Sequence, residues 1–196
     1  MRTFTLLGSL LIAGALVGCA HPMVIAPDTS GLQVVSGDQK INKKVGYYLA
    51  DDKRILEVTT PGGGGDKVTY KPYADTETAV YQMLGSVFSG VTVLKSSDDA
   101  AAIEKNGLSY VISPQLVTDS SSSSALTWPP TAFTVEMTCM ITDAKGAPVA
   151  SPMVKGEGKA EFSEFKSDFS LSGKRAAQDA ILKMQAALLA APELRK

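Results

Sequence analysis

The clearest pattern in this chain is a run in which Phe133, Val135, Met137, Cys139 and Ile141 alternate with Thr134, Glu136, Thr138, Met140 and Thr142. Successive side chains of a strand point to opposite faces, so alternation with one polar face predicts a half-buried antiparallel strand. The segment Asp143 to Gly146 supplies a turn, and Pro152 to Phe162 predicts the returning partner. Gly156, Gly158 and Ala160 fall on one side of that partner, leaving room for a helix to approach closely. A closing helix is predicted from Leu171 to Ala191, capped by Ser170 or Ser172, with Ala177, Ile181, Met184 and Leu188 as its buried stripe and Pro192 just past its end.

Upstream, Val45, Tyr47 and Leu49 alternate as a strand face. Two β-rich runs, Arg54 to Thr60 and Asp66 to Tyr73, flank Pro61 and four glycines, which predicts a hairpin with a mobile tip projecting from the domain. Asp75 stands as the N-cap of a helix over Thr76 to Ser89, whose stripe is Val80, Leu84, Val87 and Phe88, with Gly90 as its stop. A short strand, Val91 to Leu94, and a brief helix, Asp98 to Asn106 closed by Gly107, follow. Tyr110 to Val117 reads as a strand that Pro114 places near an edge or a bulge. Asp119 to Ser124 is a polar loop leading into Trp128-Pro129-Pro130.

The element order implies an α+β fold: an antiparallel or mixed sheet of about 5–6 strands with two main helices packed on one face. The expected organisation is a signal peptide over 1–18, an extended or disordered tether over 19–42, and a single α+β domain over 43–196.

Composition supports a packed core, with 44% hydrophobic and 20% charged residues. The net charge of -1, without basic runs, gives no electrostatic footprint for nucleic acid.

The first residues add a different kind of information. Arg2 precedes an apolar run from Phe4 to Val17, which ends in Leu16-Val17-Gly18-Cys19. A spanning helix needs about 20 apolar residues, and this run is shorter and broken by Gly8, Ser9 and Gly14. The order of basic, apolar and small residues matches a secretory signal. Its ending resembles the lipobox of bacterial lipoproteins. That resemblance implies a diacylglyceryl thioether on Cys19, cleavage before it, and palmitate-type acylation of the new amino group. Ala20 in place of Asp then implies sorting to the outer membrane of a Gram-negative bacterium, on its periplasmic side. With Cys19 so modified, Cys139 has no disulfide partner.

Candidate chemistry is sparse. The Pro61 to Lys67 stretch departs from a phosphate loop, since Asp66 precedes Lys67, Val68 follows it and no helix is predicted next. His21 is the only histidine and lies beside the anchor, away from any folded active site, so a nucleophile–His mechanism has no base. Cys139 lies on an apolar strand face and reads as an inert buried thiol without metal-ligand companions. Asp51-Asp52 and Asp98-Asp99 read as turn and cap residues. No cofactor is expected. Trp128 and Pro129, with Tyr70 and Tyr73 of the hairpin, are the candidate contacts for a partner.

In outline, the lipobox, the tether and a helix preceding a long antiparallel pair and a closing helix over Ala176 to Ala190 are similar to YajG-like lipoproteins and to the auxiliary lipoproteins of lipid-transport ABC systems. A stable core, a tether, exposed aromatic loops and no catalytic constellation point to a non-enzymatic, lipid-anchored accessory module of an envelope complex. The alternative is a lipid or lipopolysaccharide transport accessory, which predicts an apolar groove between helices and sheet. An envelope hydrolase ranks third.

Overall fold

The computed structural model describes residues 20–36 and 39–196. Cys19 and the apolar run read as a signal peptide lie outside the described residues. The chain forms β1 (Ala20–Pro22), β2 (Ile41–Tyr47), α1 (Asp51–Arg54), β3 (Val58–Pro61), β4 (Lys67–Tyr70), α2 (Pro72–Val87), β5 (Phe88–Val93) and α3 (Ala100–Asn106). It continues with β6 (Tyr110–Ser121), β7 (Ala132–Asp143), β8 (Pro148–Ala150), β9 (Met153–Lys159), α4 (Phe162–Phe165) and α5 (Leu171–Ala190), and ends in a 3-10 turn, Pro192–Arg195. The fold is α+β, as its element order predicts.

A six-stranded mixed sheet forms the centre, ordered β5-β2-β6-β7-β8, with β9 also paired to β7. β2 runs parallel to both β5 and β6, while β6 and β7 pair antiparallel along their full lengths, Tyr110 opposite Asp143 and Ser121 opposite Ala132. Every residue of the predicted apolar face, Phe133 through Ile141, is at most 1% exposed. Pro114 costs the sheet little because β2 pairs with β6 only at Tyr110, Val111 and Ile112. Its missing N–H therefore falls beyond the β2 ladder.

The core lies between this sheet and the two long helices. α5 presents Ala176, Ala177, Ala180, Ile181, Met184 and Leu188 inward, and each large apolar side chain buried in this way contributes ~1.5–3 kcal/mol. α5 approaches β9 so closely that a Cβ on Gly156 would collide with the Ala176 carbonyl, and one on Gly158 with the Ser172 carbonyl. The small face of β9 is therefore a seat for α5, and no apolar groove is left between that helix and the strand. The second face of the sheet is covered locally: Val111, which alternates with the core residues Tyr110 and Ile112, joins Leu94, Ile103 and Leu108 in a small separate cluster beneath α3. Asp99 caps α3 by accepting from the Ala102 amide, and Gly107 closes it at φ +61.

The first residues differ from a free tether. β1 adds in parallel to β4, which pairs antiparallel with β3 to give a separate three-stranded sheet. Met23 and Ile25 are buried in the main core. The Ile25 amide donates to Asp75 Oδ2 (3.0 Å), and Gln33 and Gln185 exchange two hydrogen bonds between backbone and side chain. The Pro- and Gly-rich composition forecast extended backbone, which is present. Its apolar residues, however, have core sites to fill, so the segment straps onto the domain.

One helix start shifts, and another falls where expected. Asp75 does not cap α2, which begins at Pro72, a residue suited to a first helical turn because its missing N–H would have no helical partner. Asp75 instead receives the N-terminal strap. Ser170 holds the N-cap position of α5 without a capping bond, and the Ser172 hydroxyl donates to the Pro130 carbonyl (2.8 Å).

Candidate contact surfaces

The glycine hairpin does not project. Its tip lies against the loop between β6 and β7: the Gly63 amide donates to the Trp128 carbonyl (2.8 Å) and the Gly64 amide to the Ser124 carbonyl (3.1 Å). A Cβ on Gly62 would meet the Trp128 carbonyl, and one on Gly63 the Thr127 carbonyl. The glycines therefore serve backbone-to-backbone approach, and only Gly64 (φ +66) and Gly65 (φ +88) also require left-handed geometry. At the base of the hairpin, the hydroxyls of Thr60 and Ser120 lie 2.6 Å apart, and Ser120 donates to the Pro61 carbonyl (2.5 Å).

Tyr70 and Tyr73 are not partner contacts. Both are buried: the Tyr70 hydroxyl donates to Thr118 Oγ1 (2.7 Å), its ring packs edge-on to Phe133 (5.1 Å), and the Tyr73 hydroxyl accepts from the Leu116 amide (3.0 Å). Strand alternation in β4 turns Val68 and Tyr70 toward the core, and Tyr73 falls on the buried face of α2. Pro129 is buried too, and it lines the cleft next to Trp128.

Trp128 is partly buried against the core and has aromatic neighbours that its sequence context did not reveal. His21 stacks on it with ring centroids 4.3 Å apart and planes 17° from parallel. Phe169 packs near it at 5.0 Å and 55°. His21 is thus part of the folded domain, contrary to expectation, because β1 carries it onto the hairpin. Its Nε2 lies 3.5 Å from Asp66 Oδ2.

Beside this stack opens a cleft of about 400 Å3 whose lining includes Asp66, Leu126, Trp128, Phe162, Lys166 and Phe169. Phe162 packs edge-on to the buried Phe165 (5.5 Å, 82°), and Lys166 Nζ stands 5.4 Å from the Phe162 ring centroid. α4, which supplies Phe162, is fixed by a capping box between Glu161 and Glu164 and by paired bonds from Arg175 to Glu164 (2.7 and 3.2 Å). The Arg175 hydrogen bonds, with that of the Glu161 backbone, lower the Glu164 carboxyl to about 2. Leu126, Phe162 and Phe169 are 95%, 58% and 50% exposed.

A second surface is the sheet edge. On the β9 side, α5 satisfies outward-facing backbone groups: Asp179 accepts from the Glu157 amide, Lys183 donates to the Lys155 carbonyl and Arg175 to the Lys159 carbonyl. At the other edge, β5 pairs with β2 alone among the described residues, and Val93 is 57% exposed.

Burial pushes the Cys139 thiol up to about 12, which removes thiolate reactivity near neutral pH. Among the described residues, no group of three His, Cys, Asp or Glu is placed to hold a metal ion, and no helix is long and apolar enough to cross a membrane.

No family model and no curated protein matches the sequence. Among solved structures, the chain is similar to a Xanthomonas campestris protein of family DUF330 at 12% identity, covering 87% of this chain and 94% of that one with a TM-score of 0.47. It is also similar to a minor lipoprotein from Acinetobacter baumannii (12% identity, 77% and 93% coverage, TM-score 0.43). A PelC dodecamer variant from Paraburkholderia phytofirmans gives 16% identity, 72% and 91% coverage and a TM-score of 0.38.

Proposed function

We propose that this chain is a lipid-anchored, non-enzymatic accessory module of the bacterial envelope, attached through Cys19 to the periplasmic side of the outer membrane and working by contact with an envelope protein. The observation that carries the contact reading is the asymmetry of the sheet edges. α5 guards the backbone of β9 with Asp179, Lys183 and Arg175, whereas β5 has a strand on one side only, an exposed Val93 and, among the described residues, one side-chain bond to its outer backbone, from the Tyr81 hydroxyl to the Val91 carbonyl (3.3 Å). The less guarded edge is the better template for pairing with a strand of another chain.

The test is a photo-crosslinking residue in place of Val93, in the full chain expressed in its own envelope, with Glu157 on the guarded edge as the control position. The reading expects one discrete envelope protein joined at Val93 and not at Glu157, and its loss in the Cys19→Ser variant. Equal or absent crosslinking at the two positions rejects the edge contact. Retention of the adduct in Cys19→Ser rejects the need for an anchor.

A further inference from the structure

We propose that the aromatic cleft beside β1 seats in the headgroup region of the bilayer that holds the anchor, so that the domain lies on the membrane surface and does not hang from a flexible tether. The proposal rests on the lipoprotein reading of Cys19. Cys19 directly precedes Ala20, whose pairing with Lys67 is the first of the β1–β4 ladder. Each trans-peptide step spans about 3.8 Å, so the Cα of a lipid-bearing Cys19 stands no more than about 8 Å from that of His21. His21 is itself stacked on Trp128. The slack that would lift the cleft clear of the bilayer is absent, because residues 20–25 are held by β4, Ser170 and Asp75.

The chemistry of the cleft fits that position. Leu126 is almost fully exposed, Phe162 and Phe169 are half-exposed, and Trp128 lies among them. Trp and Phe with an adjacent Lys suit the boundary between headgroups and acyl chains, where the rings displace interfacial water and the ammonium meets phosphate. Lys166, beside Phe162, supplies that ammonium, with Asp66 as the opposing charge of the cleft. A protein partner for the same surface would have to enter between the anchor and the domain.

Trp128 is the only tryptophan of the chain, so its fluorescence reports the cleft directly. The experiment takes the full chain purified from membranes, measures the mass of its N-terminal peptide, and reconstitutes it into phosphatidylethanolamine–phosphatidylglycerol vesicles carrying lipids brominated near the headgroup. Expected are a lipidated Cys19 peptide, a loss of Trp128 emission to the brominated lipid, and a weaker loss in Leu126→Glu. Leu126 is exposed enough for that change to leave the fold intact. A lipidated, vesicle-bound protein whose Trp128 is not quenched overturns the seating while leaving the lipoprotein reading intact. If Trp128 is shielded from aqueous iodide only in native membranes, the cleft belongs to a protein and the proposal also fails. An unmodified Cys19 overturns the lipoprotein reading and the seating together.

Discussion

The imidazole of His21 lies nearly flat on the indole of Trp128, joining the first described strand to a loop more than a hundred residues later. Aromatic pairs of this kind contribute about 0.5–1.5 kcal/mol beyond burial. His21→Ala should therefore lower stability to denaturant by about that amount and shift Trp128 emission to the red as one ring face meets water. An unchanged emission maximum would show that the stack does not persist in solution.

Gly63 explains why the hairpin tip is glycine-rich. Its Cβ site is filled by the Thr127 carbonyl, with Ser122 Oγ and the Ser124 carbonyl close by. Gly63→Ala should cost about 1–3 kcal/mol, typical of forced overpacking, and should release the tip from the Trp128 loop. Gly65→Ala meets nothing within 4 Å but carries the strain of φ +88, so it should cost about 1–2 kcal/mol without altering Trp128 emission. Chemical denaturation followed by tryptophan fluorescence separates the two. Equal spectral shifts would refute the docking role.

Asp75 holds the N-terminal strap at an electrostatic cost. Burial raises its carboxyl above the ordinary range, outweighing the lowering effect of the Ile25 amide. A raised folded value means that the charged form is disfavoured in the fold, so this group's contribution to stability falls as pH climbs from the ordinary carboxylate value through the folded one. Asp75→Asn keeps an acceptor for Ile25 and should abolish that fall. Asp75→Ala strands the amide and should lose about 1–3 kcal/mol at all pH values. Denaturation midpoints across the acid range decide, and parallel curves for wild type and Asp75→Asn would contradict the assignment.

Glu164 has the opposite sign. Its folded value of about 2, set first by Arg175 and then by the Glu161 backbone, makes its stabilising effect complete above the ordinary carboxylate value and lost as pH falls toward 2. In Glu164→Gln that acid-side loss should be missing and α4 should fray. Hydrogen exchange at the amides of Glu164 and Phe165 provides the measurement. Unaltered protection in the variant would mean that α4 is held by Phe165 burial alone.

What was legible in the sequence was whatever local periodicity dictates. β7, the β9 glycine face and the stripe of α5 follow from periods of two and of about 3.6, which depend only on backbone geometry. The site was less legible because it is assembled from distant pieces. Nothing near His21 announces Trp128, and Gly62 and Gly63 look like a flexible tip until the facing carbonyls are placed. Tyr70 and Tyr73 show the same limit: tyrosines near a turn read as exposed, yet alternation in β4 and the face of α2 bury them with their hydroxyls satisfied. Apolar spacing at Met23 and Ile25 was a usable signal, masked by the surrounding Pro, Gly and Ser.

The approach of α5 to β9 gives the sharpest test of the core. Gly156 and Gly158 face Ala176 and Ala180, and every atom near their missing Cβ positions belongs to backbone or to a short side-chain stem. No flexible end can swing aside, so a methyl group must push the helix outward. Displacing α5 would loosen its buried Ile181, Met184 and Leu188 and stretch the bonds from Asp179, Lys183 and Arg175 to the β9 edge. Gly158→Ala should therefore cost at least about 1–3 kcal/mol and open the guarded edge as well. In contrast, Gly85→Ala, on α2 with open space at its Cβ, should be neutral or stabilising by up to about 1 kcal/mol. Thermal denaturation orders the two variants, and hydrogen exchange at the Glu157 amide reports the edge. If Gly158→Ala melts with wild type and keeps that amide protected, the helix is not seated as closely as the fold requires.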